Sequence, residues 1–383
     1  MIDTATSQKT SRGVLSLQVL RGVAAVLVVV VHSEVSVTIQ WPSQLAKPPV
    51  WLFSSENLIG LGAAGVDIFF LISGFIMVYV SPPYRSNQKP SSDFLIRRLI
   101  RIYPMYALTT IGTILVGIVH FYRHPELGPH PFSTERIIAS FSFVPTFSEN
   151  GLVQPILTQG WTLFYEMFFY ACFAVVLKFS KRHLLVPLVA IFGAVLILAR
   201  VFGMKNSALS GFLSDTIMIE FLFGCGIGLL FQRNAINSRY GLAVLVLVIA
   251  LFAASVPFGM PSDYRFLVWG LPASLLLVSI LKIELAGFSW PRPLLLIGDA
   301  SYSIYLVHVF VISQFRGILT DKAPQLAGVS GDVVILTLVI LAVAFGVLIY
   351  QGIEKPINSL LSDEYSEFRR RRSLRFQIVK ADQ

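Results

Sequence analysis

Apolar residues fall along this chain in separate blocks of roughly twenty, each long enough to cross a hydrocarbon layer of about 30 Å, with the charged residues gathered between them. The blocks predict helices at 14–37, 58–80, 102–120, 159–179, 184–202, 212–231, 242–257, 264–282, 293–317 and 331–353. The expected fold is therefore all-α, a polytopic integral membrane bundle of about ten transmembrane helices. Its parts divide into an N-terminal segment at 1–13, a membrane domain at 14–357 and a short basic tail at 358–383.

Composition removes the water-soluble alternative. Of the 383 residues, 55% are hydrophobic and 13% are charged, and mean hydropathy is +0.72, whereas a soluble domain carries about 25% charged residues. Charge then sets the orientation. With the N-terminus in the cytoplasm, 21 of the 30 lysines and arginines fall on that side and eight on the other, which satisfies the positive-inside rule and makes both termini cytoplasmic. The net charge of +9 then calls for no nucleic-acid partner, because the excess faces anionic membrane lipid, the run Arg369–Arg372 included. Cys172 and Cys225 fall near the middle of predicted helices, so no disulfide or metal framework follows. Arg21 before the apolar run at 22–31 has the look of a signal peptide, but no small-residue cleavage site comes after it. The segment is read as a retained first helix.

No stretch between the helices is long enough for a soluble catalytic domain, the longest being 121–158, so chemistry belongs in or at the membrane. That stretch is rich in His, Pro and aromatic residues, and is either an interfacial helix or lid over an external cleft or a simple connector. Gly224, Gly226 and Gly228 lie among apolar residues with no strand before them. Close helix packing through Gly224 and Gly228 explains them better than a nucleotide loop.

Titratable side chains at membrane depth cost several kcal/mol and so mark candidate function. Here they are Arg21, His32, Glu34, Asp67, Glu166, Glu220, Asp299 and His308. Arg21 and His32 lie within about 20° of one helix face and about 16 Å apart along its axis. His32, His308, Asp67, Glu166 and Glu220 share one layer, the carboxylates roughly 10 to 14 Å from the outer side, and an outer-leaflet polar pocket would solvate them. Ser301, Tyr305 and His308 share one face of the ninth predicted helix. For Glu34 and Glu220 taken singly, a polar neighbour on an adjacent helix is the better explanation, and Asp299 suits an arginine partner nearer the cytoplasm.

A second concentration is Arg97, Arg98 and Arg101 at the mouth of the third predicted helix. Their spacing forms a guanidinium fork suited to phosphate or pyrophosphate, with an ordinary positive-inside anchor as the plain alternative. Arg21 near the same surface favours a phosphate-bearing ligand entering from the cytoplasm.

Taken in order, these pieces resemble a known family. They are Leu17-Gln-Val-Leu-Arg21 with His32 following, Gly65-Val-Asp67 running on to Ser73-Gly74-Phe75, and Arg97-Arg98-Leu-Ile-Arg101-Ile-Tyr-Pro104. Trp161-Thr-Leu-Phe-Tyr-Glu166, Gly298-Asp-Ala-Ser301-Tyr302-Ser-Ile-Tyr305-Leu-Val-His308 and Glu354-Lys-Pro356 complete the set. The chain resembles the acyltransferase-3 superfamily of membrane O-acyltransferases, within it the exopolysaccharide O-acetyltransferases of the succinoglycan-modifying type.

That resemblance implies an acyl-CoA donor in the cytoplasm, acetyl-CoA before succinyl-CoA, and no metal. It implies a polysaccharide or lipid-linked oligosaccharide acceptor on the outer side of the bacterial inner membrane; a homo-oligomer is possible. Arg21, Arg97, Arg98 and Arg101 would hold the donor, and His32 would act as general base or as acyl relay. Asp67 or Glu166 would be the carboxylate on its other nitrogen, with Glu166 preferred because Trp161 nearby offers a sugar-stacking ring. His308 with Tyr305 would orient the acceptor or stabilise the oxyanion, with Ser301 and Tyr302 beside them. Gly298-Asp-Ala-Ser301 also looks faintly like the opening motif of an esterase domain, but it lies in an apolar helix. A transporter or flippase of lipid-linked glycan is the competing class, since it too would carry intramembrane charge around a polar pocket.

Overall fold

The computed structural model describes residues 14–41, 47–53, 56–123, 132–180, 182–203, 207–256, 263–321 and 329–381; the segment expected at 1–13 lies outside them. The regular structure of the described residues is helical, apart from one antiparallel bridge between Phe147 and Val153. The helices are α1 (Leu15–Thr38), α2 (Glu56–Tyr79), α3 (Pro82–Arg85), α4 (Ser91–Arg123), α5 (Thr134–Phe141), α6 (Trp161–Phe179), α7 (Leu185–Phe202) and α8 (Ala208–Leu213). There follow α9 (Met218–Gln232), α10 (Gly241–Ser255), α11 (Leu271–Leu285), α12 (Arg292–Asp299), α13 (Ser301–Asp321), α14 (Gly331–Ile349) and α15 (Lys355–Ala381). Among the described residues, eight helices are long and apolar enough to cross a membrane, nine with the bent pair α12 and α13, and α10 is shorter. The protein is a multi-pass membrane bundle.

Three boundaries depart from the hydrophobic pattern. The third predicted helix begins at Ser91 rather than 102, so Arg97, Arg98 and Arg101 stand within it, with Asp93 favourably placed in its first turn. The last span runs through a wider turn at Tyr350–Glu354 straight into α15, which makes the expected tail at 358–383 helical as far as Ala381. The ninth predicted helix is broken at Ala300, where α12 and α13 meet at a 72° bend. The break follows from contact with α1: a Cβ at Gly298 would lie 2.0 Å from the Gln18 carbonyl oxygen, so the two backbones touch there.

Residues 1–82 with 185–347 form one compact unit, and 83–184 with 348–383 form another. In the first, α1 packs on α2, α12 and α13, and α2 packs along α9. Apolar burial gains little against lipid, so close backbone approach carries much of this packing. A Cβ at Gly74 would lie 2.1 Å from the Phe221 carbonyl oxygen, and one at Gly224 would lie 2.0 Å from that of Leu71. Gly228 continues the contact against Phe75 and Val78. Leu20, Leu71, Phe75 and Leu277 fill the core beside this seam.

In the second unit α4 packs on α6 and α15 around an aromatic core of Tyr84, Phe94, Tyr170 and Phe173. The stretch that begins with α5 is fastened to α4, because the Tyr106 hydroxyl donates to the Ser140 carbonyl at 2.9 Å. The Ser140 hydroxyl in turn accepts from the Ile156 N–H at 3.0 Å.

Candidate active site

Within the first unit, α1 and α13 bring two imidazoles together. The His32 and His308 rings stand 4.8 Å apart between centroids, nearly edge to face at 70°. Each Nδ1 faces the carbonyl one turn back, Val28 at 2.9 Å for His32 and Ile304 at 3.2 Å for His308. A carbonyl accepts and never donates, so these bonds put the proton on Nδ1 and leave the Nε2 lone pair of each ring free for chemistry. His308 is fully buried, and its Nε2 has no hydrogen-bond partner among the described residues. Tyr305 lies on the same helix with its ring 6.0 Å from His308 and 5.8 Å from Phe69. Ser301 sits one turn before Tyr305, its hydroxyl buried without a hydrogen bond among the described residues.

Elsewhere in that unit Asp67 is committed to a cation. Arg265 donates through Nε to Oδ1 at 2.8 Å and through Nη2 to Oδ2 at 2.7 Å, a bidentate pair, and its guanidinium lies 5.0 Å from the Trp269 ring centre. Glu220 is fully buried within electrostatic reach of both. Gly270 leaves room for it, since a Cβ there would meet the Glu220 Cγ at 3.1 Å. Asp67 and Glu220 are thus drawn into one cluster around a single guanidinium. Arg21 lies half-buried on α1, and Asp299 is exposed at the end of α12.

The second unit divides the three arginines between two groups. Arg97 donates through Nε to Asp93 at 3.1 Å, and Arg369 of α15 reaches the other oxygen of that fully buried carboxylate at 2.7 Å. The Tyr84 phenol lies 3.4 Å from Asp93 and is held above its ordinary range, first by burial and then by that carboxylate. Arg98 turns the other way and lies over the rings of Phe94 and Tyr170, at 5.6 and 5.8 Å. Tyr170 donates to Glu166, and Arg101 lies within electrostatic reach of both Arg98 and Tyr170. Arg98 also lies within electrostatic reach of Glu166, so this group holds two guanidinium cations and one carboxylate, a balance suited to a phosphate. Trp161, at the start of α6, meets Tyr165 edge to face at 5.9 Å.

A family profile described as an acyltransferase domain matches residues 14–351, nearly the whole chain. The chain belongs to the acyltransferase-3 family. This acyltransferase is 35% identical over 305 residues to the exopolysaccharide production protein ExoZ of Rhizobium meliloti, covering 78% of the chain and 90% of that protein. It is 24% identical over 330 residues to the acyltransferase MdmB of Streptomyces mycarofaciens, covering 80% and 83%. It is also 28% identical over 307 residues to the peptidoglycan O-acetyltransferase OatA of Listeria monocytogenes, covering 69% of the chain but 47% of that longer protein. No solved structure matches it.

Several residues of the acyltransferase escaped the sequence reading. The i,i+4 spacing of Asp93 and Arg97 was visible and would have flagged Asp93. Arg265 reads in the sequence as one more loop cation, and nothing local ties it to Asp67, 198 residues away. Arg369 likewise reads as part of a basic run.

Proposed function

We propose that this acyltransferase moves an acyl group, acetyl in the first instance, from cytoplasmic acyl-CoA to a hydroxyl of an exopolysaccharide or lipid-linked glycan at the outer side of the bacterial inner membrane. The names of its relatives support the reading: ExoZ is an exopolysaccharide production protein and OatA a peptidoglycan O-acetyltransferase. The observation that carries it is the pair of imidazoles on α1 and α13, each with Nδ1 tied to its own helix and Nε2 left open.

In this mechanism Nε2 of His32 removes the proton of the acceptor hydroxyl while the oxygen attacks the thioester carbonyl. A C–O bond forms, the tetrahedral intermediate collapses with loss of the C–S bond, and the CoA thiolate leaves with the proton carried by the imidazole. The neighbouring His308 ring orients the acceptor hydroxyl. Arg98 and Arg101 hold the donor's phosphates. Ser301, Tyr302 and Tyr305 belong to the acceptor side, and membrane lipid is the surrounding partner.

The test uses the purified full chain with labelled acetyl-CoA and a glycan acceptor. Label appears in the glycan, and His32→Ala abolishes transfer while the protein keeps its thermal transition. Label trapped on the protein before acceptor is added would make His32 an acyl relay rather than a base. Passage of the glycan across the bilayer without consumption of CoA would replace the proposal with a transporter.

A further inference from the structure

The two helices that carry the imidazoles are joined again farther along. Gln40 lies eight residues beyond His32, just past the end of α1, and Arg316 lies eight residues beyond His308 on α13. Arg316 donates through Nη1 to the Gln40 side-chain oxygen at 2.7 Å and to its carbonyl at 3.4 Å. Eight residues of helix correspond to about 12 Å, so this contact crosses between the helices roughly two turns above the imidazoles. Ser36 lies between His32 and Gln40 on the same stripe of α1, its hydroxyl fully buried and without a hydrogen bond among the described residues. The stripe is therefore polar along its length, from imidazole through hydroxyl to guanidinium.

Arg316 is only partly satisfied by this arrangement. Its Nη1 is engaged, while among the described residues its Nε and Nη2 make no hydrogen bond and it enters no ion pair. Nε and Nη2 are the edge by which an arginine grips a carboxylate or phosphate with two parallel bonds. Arg265 of this same unit shows that edge in use, closed on Asp67 at 2.8 and 2.7 Å. In Arg316 the corresponding edge is open, and Gln40 fixes the direction in which the guanidinium plane points. Lys47 adds a second cation at the same helix end, its Nζ donating to the Thr38 carbonyl at 3.0 Å, and it too enters no ion pair among the described residues. Cations at a helix C-terminus also complement its dipole, which explains the carbonyl contacts but leaves the Nε and Nη2 edge unused.

We infer that Arg316, aimed by Gln40 and backed by Lys47, is an acceptor subsite for an anionic group carried by the glycan about two helical turns from the hydroxyl that meets His32. Resting on the function proposed above, this adds the substrate class: the acceptor carries anionic oxygens, either the carboxylate of an acidic sugar or the diphosphate of a lipid carrier. Arg316 is a positioning residue in this scheme, and it takes no part in proton or acyl transfer.

Three acceptors separate the sources: a uronate-containing oligosaccharide, the same oligosaccharide with its carboxyl groups reduced, and the reduced form linked to a polyprenyl diphosphate. The wild-type chain is expected to prefer one anionic acceptor to the neutral one in kcat/KM, and which of the two it prefers names the source. Arg316→Gln lowers that preference about tenfold, the worth of a lost charge-assisted pair, and Arg316→Lys recovers it in part because charge remains without the fork. Gln40→Ala, which leaves the guanidinium in place but unaimed, lowers it less. A wild-type chain indifferent to acceptor charge overturns the inference, and so does an Arg316→Gln protein with wild-type preference. Should the wild-type chain transfer no label to any acceptor, the proposed function fails, and equilibrium binding of the same three glycans still decides the subsite. Tighter binding of an anionic glycan that weakens in Arg316→Gln supports it, and equal binding overturns it.

Discussion

The Arg265 guanidinium is bonded to both oxygens of buried Asp67 and lies within electrostatic reach of a second buried acid, Glu220. The asymmetry of two acids to one base predicts unequal costs. Arg265→Met strands two carboxylates away from water and should destabilise the protein by about 3–5 kcal/mol, the range for breaking a buried pair. Asp67→Asn leaves Glu220 to neutralise the cation and should cost clearly less. Thermal unfolding of the detergent-purified variants measures both, and an Asp67→Asn protein as unstable as Arg265→Met would show that Glu220 does not share the cation.

The contact between His32 and His308 predicts a coupled loss of activity. If the two rings work as one unit, His32→Ala and His308→Ala each lower transfer by about 10²–10⁴, and the double variant is little worse than the more damaging single one. Independent contributions would multiply. Transfer rates at saturating donor and acceptor decide, with an unchanged thermal transition as the control for folding.

How much of this was legible in the sequence varies with how local the cause is. Membrane spans announce themselves through twenty consecutive residues, so the helices appear near their expected places. The start of α4 at Ser91 did not, because Arg97, Arg98 and Arg101 depress the apolar signal over a turn that is helical all the same. The bend at Ala300 was hidden for another reason: no proline marks it, and its cause is the contact of Gly298 with Gln18 on a distant helix. His32 and His308 were singled out as costly at membrane depth, but their meeting depends on how α1 and α13 pack, which periodicity within either helix does not encode. The separate directions taken by Arg97 and Arg98 follow from helix geometry, since neighbours in sequence point about 100° apart.

The glycine seams predict substitutions of opposite sign. Gly224→Ala would place a methyl 2.0 Å from the Leu71 carbonyl oxygen, and Gly74→Ala one 2.1 Å from that of Phe221. Backbone cannot yield as a side-chain tip can, so each should cost about 1–3 kcal/mol or more. Gly226→Ala, on the same helix but with nothing within 4 Å, should be neutral or stabilising by up to about 1 kcal/mol, the helix preference for alanine. Gly298→Ala belongs with the first pair, and because α12 leads directly into the helix that carries His308 it should lower transfer as well as stability. A thermal-shift series over the four variants tests the ordering.

Asp93 and Arg369 govern how α15 is held. Asp93 is fully buried, and Arg369 meets it at 2.7 Å while Arg97 holds its other oxygen. Arg369 is about one-third exposed, so solvent screens the pair, and Arg369→Gln should cost about 1 kcal/mol. The local effect should be larger than that figure implies, because the contact fastens one helix to another: amide exchange across the first turns of α15 should quicken while α4 stays protected. Asp93→Asn should be worse, since it leaves two guanidinium groups side by side without their anion. Arg371 supplies the comparison. It pairs with Glu367 on its own helix, both side chains being more than half exposed, and such a pair contributes little. Arg371→Gln should therefore leave exchange in α15 at the wild-type rate. Equal loosening by Arg371→Gln and Arg369→Gln would mean that the helix is held by the positive charge of its basic run and not by the single carboxylate at residue 93.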